Sequence, residues 1–191
     1  MLNLAIIIGS VRTGRQSHKA AYYLEKKFKE FKDINVKIVD LINYEVPILE
    51  ERLSRTENPP ASVKEASEIL DKSDAIILVS PEYHGGISGV LKNFLDYFLK
   101  EITKKPIGVV TASGGKFGGI NASHEIQKLI LAIGSYPMPK KFLVPFVHQS
   151  FDNEYNALNE ETAKGAEAFV SEFVWFANTI TNGKNLFTKA A

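Results

Sequence analysis

Apolar residues along this chain follow two rhythms. Leu4-Ala5-Ile6-Ile7-Ile8, Ala75-Ile76-Ile77-Leu78-Val79-Ser80 and Ile107-Gly108-Val109-Val110-Thr111 are short, unbroken and rich in β-branched residues. Such runs predict strands buried on both faces. Ile34, Val36 and Ile38 instead alternate with polar residues, which predicts a strand near a sheet edge. Lys141 to Val147 reads as a fifth strand, and Pro145 within it suits an edge. Between these runs the spacing turns helical. Ala20, Ala21, Leu24, Phe28 and Phe31 mark a first helix, and Val63, Ala66, Ile69 and Leu70 a second, with Pro59 and Pro60 in its first turn. Leu91, Phe94, Leu95 and Phe98 mark a third from Ser88, and Ile126, Leu129, Ile130 and Ile133 a fourth that stops at Gly134. The fifth starts near Leu158, ends about Ile180, and carries Ala166, Phe169, Val170, Phe173, Trp175 and Phe176. Residues 40–58 are irregular and charged around Pro47, as in a surface excursion.

Five strands alternating with five helices predict an α/β fold with a parallel sheet covered on both faces. The expected architecture is the flavodoxin-like three-layer sandwich with strand order 2-1-3-4-5, which binds ligands at the carboxyl ends of its strands. In that order the first, third and fourth strands are neighbours. Each ends in a Gly- and Ser-rich loop: Gly9 to Ser17, Pro81 to Gly89, and Ala112 to Gly119. Pro81, with no N–H to donate, is expected to end strand pairing. One site built from three loops follows. No repeat, linker or low-complexity tract divides the chain, so residues 1–191 read as one domain.

Composition narrows the chemistry. The formal net charge is +1, which argues against a dedicated nucleic-acid binder. There is no cysteine, which excludes disulfides, thiolate nucleophiles and Cys-ligated metal clusters. Met1-Leu2-Asn3-Leu4 has no basic stretch before a short apolar run, so it reads as a strand and not as a signal or membrane span. A cytoplasmic protein is the expectation.

The first loop opens a helix and carries Ser10, Arg12, Arg15, Gln16 and Ser17. Amides at a helix N-terminus, aided by arginine, suit a phosphate, while Ser17 alone also suits an ordinary helix cap. Gly9 and Gly14 have P-loop spacing, but Arg15 and Gln16 replace the required Lys and Ser or Thr, and the third strand ends without a Walker B acid. The dinucleotide fingerprint fails at Val11, leaving Asp40 as a solitary match to its ribose-binding acid. Arg15, beside the loop, could meet the 2′-phosphate of a dinucleotide but reads better as a solvated arginine. Pro81, Glu82, Tyr83 and His84 offer an aromatic face, a carboxylate and an imidazole, and Ser113, Gly114 and Gly115 a hydroxyl and bare amides. Together these suit a planar heterocycle. Taken singly, Tyr83 also fits a half-buried loop aromatic and Glu82 a helix-capping charge. The spacing of His18, His84, His124 and His148 makes no metal site, and His18, His124 and His148 read as structural or solvated.

Three stretches carry a family resemblance. They are Gly9-Ser10-Val11-Arg12 with Ser17, Pro81-Glu82-Tyr83-His84-Gly85 through Leu91-Lys92-Asn93-Phe94-Leu95-Asp96, and Ser113-Gly114-Gly115 with Gly118-Gly119. With them the chain resembles the NADPH-dependent FMN reductases, including their quinone- and azo-reducing members. The resemblance implies that Ser10, Arg12, Gln16 and Ser17 hold the FMN phosphate. It implies that Pro81, Glu82, Tyr83 and His84 line the ring and ribityl region, and that Ser113, Gly114 and Gly115 approach the pyrimidine side. Many relatives carry asparagine where this chain has His84. The implied activity is a ping-pong cycle in which NADPH or NADH reduces bound FMN, which then reduces a flavin, quinone, azo compound or similar small acceptor. The flavin supplies the chemistry, so no catalytic acid or base is nominated. The resemblance also implies a homodimer or homotetramer, with the loop and helix after the Pro-Glu-Tyr motif at the interface, where Phe94, Tyr97 and Phe98 could add apolar area; Phe94 and Phe98 also fit ordinary core packing. Two other classes fit an FMN site: a flavodoxin-type electron carrier, disfavoured by the near-neutral charge, and a flavin-based redox sensor.

Overall fold

The computed structural model describes residues 1–190, with side chains through Gly183. The chain runs β1 (Leu2–Ile8), α1 (Ser17–Lys29), β2 (Ile34–Asp40), α2 (Ala61–Lys72), β3 (Ala75–Tyr83), β4 (Gly86–Ile87), α3 (Gly89–Asp96), β5 (Pro106–Ala112), α4 (Ile120–Ala132), β6 (Tyr136–Val144) and α5 (Glu160–Ala190). The main sheet is parallel, in the order β2-β1-β3-β5-β6. Without the two-residue β4 this is the expected order, and β2 lies at an edge as its alternating pattern requires.

Alternation along each central strand divides its side chains between two cores. Leu4, Ile6 and Ile8 of β1, with Ala75, Ile77 and Val79 of β3, pack under α1 and α5. Ala5 and Ile7, with Ile76 and Leu78, pack under α2, α3 and α4. Full burial of each large aliphatic side chain is worth roughly 1.5–3 kcal/mol, so these runs anchor both outer layers. Gly108 interrupts the β5 run because a Cβ there would lie 2.9 Å from the Phe169 and Phe173 rings of α5.

Several boundaries differ from the sequence expectation. The last strand spans Tyr136–Val144 instead of Lys141 to Val147. Pro137 and Pro139 hid its first half, and the edge position with a register shift opposite Ile107 and Val109 is what accommodates them. Pro81 does not end β3. It stands opposite Ala112 in the parallel ladder, and the strand continues to Tyr83 before turning back antiparallel as β4. Proline lacks a donor, but the pairing carries past it. Pro59 and Pro60 precede α2, with Pro60 at its N-cap. Phe31 lies beyond α1 and is 39% exposed, and Trp175 faces away from the α5 stripe at 64% exposure. Phe94, Tyr97 and Phe98 are buried within the protomer, so they are unavailable to an interface.

The excursion at 40–58 contains two 3-10 turns, Leu41–Asn43 and Leu53–Arg55. Asn93 secures it: its Nδ2 donates to Pro47 O at 2.7 Å, and its Oδ1 accepts from Leu49 N at 2.9 Å. Tyr97 adds a hydroxyl bond to Pro47 O at 3.1 Å.

Candidate functional site

The loops after β1, β3 and β5 converge at the carboxyl end of the sheet. They enclose a cavity of about 250 Å³ lined by Ser10, Arg12, Gly14, Arg15, Gln16, Ser17, Pro81, Glu82, Tyr83, Ala112, Ser113 and Gly114, with Val147 and His148 from the turn after β6. The cavity brings together most of the residues singled out in the sequence. His84 and Gly115 are the exceptions: both are exposed and neither lines it.

Buried hydrogen bonds set the loops against one another. Ser88 Oγ donates to Gly9 O at 2.5 Å, and Ser88 N donates to Ser80 Oγ at 3.2 Å. This ties the start of the first loop to the end of the second. Gly9 is required by packing, since a Cβ there would sit 2.6 Å from Leu91 Cβ. Leu91 and Asn93, both in the motif that follows the second loop, therefore serve packing and loop anchoring. Lys92 pairs with Asp96 on the α3 surface at 2.6 Å. Across the cavity Ser10 Oγ and Tyr83 Oη lie 3.3 Å apart, within hydrogen-bond reach.

The second loop is a tight hairpin. Tyr83 pairs with Gly86, and the two residues between them, His84 at φ 51° and Gly85 at φ 79°, are both left-handed. Positive φ at both positions is what a type I′ hairpin demands, and asparagine and histidine tolerate it better than most side chains. The turn thus accounts for the residue types at position 84 without a flavin contact. Glu125 Oε2 of α4 holds the hairpin by accepting from Ile87 N at 2.8 Å. Glu82 Oε2 accepts from Ala122 N at 3.0 Å, so this carboxylate caps the first turn of α4, the alternative role its position allowed.

In the third loop Ser113 is less free than its sequence implied. Its N–H donates to Val144 O at 3.1 Å and its hydroxyl to Gly115 O at 3.2 Å. Gly114 and Gly115 carry the loop's other amides. A Cβ on Gly114 would meet no protein atom within 4 Å. Its bareness leaves open space at the cavity wall, as the approach of a flat ring to backbone would need.

The first loop ends where α1 begins. Ser17 is the first helical residue, preceded by Gln16 at the N-cap position without a side-chain cap bond. Ser17 is 3% exposed, and its Oγ is buried without a hydrogen-bond partner among the described residues. It is therefore no helix cap. A buried, unpartnered hydroxyl in the first turn of a helix, where leading N–H groups lack intrahelical acceptors, fits an anionic ligand oxygen. Arg12 is exposed and lines the cavity as a cation beside that position.

Arg15 and Asp40 depart from expectation. Arg15 is not solvated: it forms a two-armed ion pair with Asp40 at 2.5 and 2.6 Å. The hydrogen bond to Asp40 raises the Arg15 pKa above its ordinary value, against the cost of burial. Asp40, so engaged, offers no free acid for a ribose. Tyr22 donates to the same carboxylate at 3.2 Å, and burial, with Asp40 beside it, pushes its hydroxyl up to about 12. His18 lies edge-on to both Tyr22 and Tyr155, and burial lowers its pKa.

Val147 and His148 were missed as lining residues. With β6 drawn to Val147 they fell inside or beside a strand. With the strand ending at Val144 they follow its carboxyl end, where sites of this architecture lie.

A parallel sheet of this order, with three loops and a helix N-terminus closing on one cavity, defines a flavodoxin-like protein whose cavity chemistry fits a phosphorylated flavin. The chain belongs to the NADPH-dependent FMN reductase family, whose model matches residues 2–149. It is 31% identical over 183 residues to an FMN-dependent NADPH-azoreductase of Staphylococcus aureus, covering 91% of this chain and 94% of the relative. It is 29% identical over 178 residues to a quinone reductase of Pseudomonas putida, covering 90% and 92%. In fold it is similar to a flavoenzyme NAD(P)H:(acceptor) oxidoreductase from Paracoccus denitrificans, with a TM-score of 0.80 and 22% identity, covering 94% of this chain and 98% of that one. The family membership makes the chain an FMN-dependent NAD(P)H oxidoreductase.

Proposed function

We propose that the cavity holds FMN and that the protein passes reducing equivalents from NADPH or NADH to a small acceptor of the azo or quinone type. The partnerless, buried Ser17 hydroxyl at the start of α1 carries this reading. Ser10, Arg12, Gln16 and Ser17, with the first-turn amides, receive the phosphate. Pro81, Glu82, Tyr83, Ser113 and Gly114 border the ribityl chain and ring. His84 and Gly115 act through loop shape, as turn and backbone. FMN, when bound, supplies the two-electron chemistry. The chain's own contribution is to bind, orient and polarise, with the Gly114 amide at the cavity wall to favour negative charge on the ring. The relatives named as azoreductase and quinone reductase support the acceptor class. Val11, Phe117 and Phe146, exposed on loops around the cavity, supply apolar surface for docking it.

Residues 1–191 act as one FMN-binding domain in the cytoplasm, in a homodimer or homotetramer whose contacts exclude Phe94, Tyr97 and Phe98. Among the described residues no helix is long and apolar enough to cross a membrane. The test is an absorbance spectrum of the purified protein, before and after NADPH or NADH is added without oxygen. A flavin spectrum that bleaches, and recovers on adding a quinone or azo dye, is the expected result. A flavin spectrum that persists with both nucleotides turns the reading to an electron carrier. No flavin, and none taken up from added FMN, overturns the site.

A further inference from the structure

At the end of the first loop, with Arg15 on the cavity wall, lies an ion pair to which the flavin reading gives no role. Arg15 Nη1 donates to Asp40 Oδ1 at 2.5 Å and Nη2 to Asp40 Oδ2 at 2.6 Å. The same Nη1 donates to Ser10 O at 2.7 Å. One guanidinium therefore joins the end of β2 to the first turn of the loop after β1. The pair is largely removed from water, with side chains 13% and 4% exposed. Tyr22 fills a further acceptor site on Asp40, and Tyr155 stacks on Tyr22 with ring centroids 4.8 Å apart. A two-armed Arg–carboxylate pair with its remaining valences satisfied specifies geometry as well as charge.

Ser88 Oγ ties the loop at Gly9 O, and Arg15 N–H closes a turn on Arg12 O at 3.1 Å, but the apex between them is open to water. Val11, Arg12, Thr13 and Gly14 are all exposed, and Gly14 is left-handed at φ 71°. Yet a phosphate site made of backbone amides and a hydroxyl works only if they converge before the ligand arrives. We propose that Arg15 and Asp40 are a brace that holds the Gly9 to Ser17 loop in its phosphate-binding shape, as positioning residues that do not themselves touch the phosphate. The proposal rests on the FMN reading above. Its corollary is a division of labour: Arg15 is neutralised by Asp40, and Arg12 supplies the cation at the cavity.

The test compares dissociation constants for FMN and for riboflavin, since their ratio isolates the phosphate. Asp40→Asn removes a negative charge beside the loop. Through-space electrostatics alone would then tighten FMN binding, whereas loss of the brace weakens it. We expect FMN affinity to fall on the order of tenfold, the worth of a hydrogen bond to a charged group, while riboflavin affinity stays within about twofold. Arg15→Lys keeps the charge but cannot span both partners, and the same loss is expected. In the flavin-free protein, amide hydrogen exchange at residues 11–17 should quicken in both variants while β3 stays protected. If Asp40→Asn does not fold, Arg15→Lys decides the matter. A folded variant that keeps the wild-type preference for FMN over riboflavin overturns the brace and leaves the FMN site standing. A wild-type protein with no such preference overturns the phosphate reading, and the brace with it.

Discussion

Replacing Ser17 by alanine should move stability and cofactor affinity in opposite directions. The Ser17 hydroxyl is buried and has no hydrogen-bond partner among the described residues. A buried polar group in that state costs about 1–3 kcal/mol. Alanine removes it. No protein hydrogen bond is lost. The flavin-free variant should therefore be about 1–3 kcal/mol more stable, which at this chain length raises Tm by several degrees. Binding runs the other way. If the hydroxyl donates to a phosphate oxygen, its loss costs about 1.5–3 kcal/mol, or roughly a tenfold to hundredfold rise in the Kd for FMN. Riboflavin, which lacks the phosphate, should bind the variant as well as the wild type. Denaturant titration of the flavin-free protein gives the first quantity, and quenching of flavin fluorescence gives the second. A variant less stable than wild type, with unchanged FMN affinity, would refute the reasoning and make Ser17 an ordinary structural residue.

Two further outcomes follow from the same geometry. Gly9→Ala places a Cβ 2.6 Å from Leu91 Cβ, an overpacking expected to cost about 1–3 kcal/mol in denaturant titration, and Leu91→Ala, which keeps that Cβ, should not relieve it. His18 is held below its ordinary pKa by burial and by Arg15 and Lys19, against Asp40, with the Tyr22 and Tyr155 rings beside it. A histidine whose folded pKa is lowered binds its proton more readily when unfolded, so its contribution to stability is complete above about pH 6.5 and is lost as pH falls towards the lowered folded value. Melting curves between pH 7.5 and about 5 should show this decline. A His18→Gln variant should show less of it, and equal slopes for both proteins would remove His18 as the cause.

The parallel sheet was legible because β1, β3 and β5 are central. Buried on both faces, they had to be continuous apolar runs, and few structures besides a central strand require a run so short and so β-branched. The three loops were legible because glycines, serines and an arginine follow those runs directly. What escaped was whatever depends on a neighbour distant in sequence. Pro137 and Pro139 look like strand breakers until the strand is known to be an edge. Glu82 reads equally as a ligand-facing or a helix-capping carboxylate until α4 brings Ala122 N to it. His84 looks like a chemical group until the β3–β4 hairpin shows that position 84 needs left-handed backbone. Tyr97 looks like an interface residue until the core closes over it.

Arg15 marks the boundary most clearly. Local pattern placed it in a polar loop, where an arginine is ordinarily solvated. Its partner lies at the end of β2, and only the pairing of β1 with β2, which sets Ile8 beside Asp40, brings carboxylate and loop together. Hydrophobic periodicity thus determined which segments are buried and where the loops fall, because burial is a property of a segment's own composition. The tertiary structure decided which polar groups are free and which are already spent, because a hydrogen bond or ion pair belongs to two residues and forms only where the fold makes them neighbours.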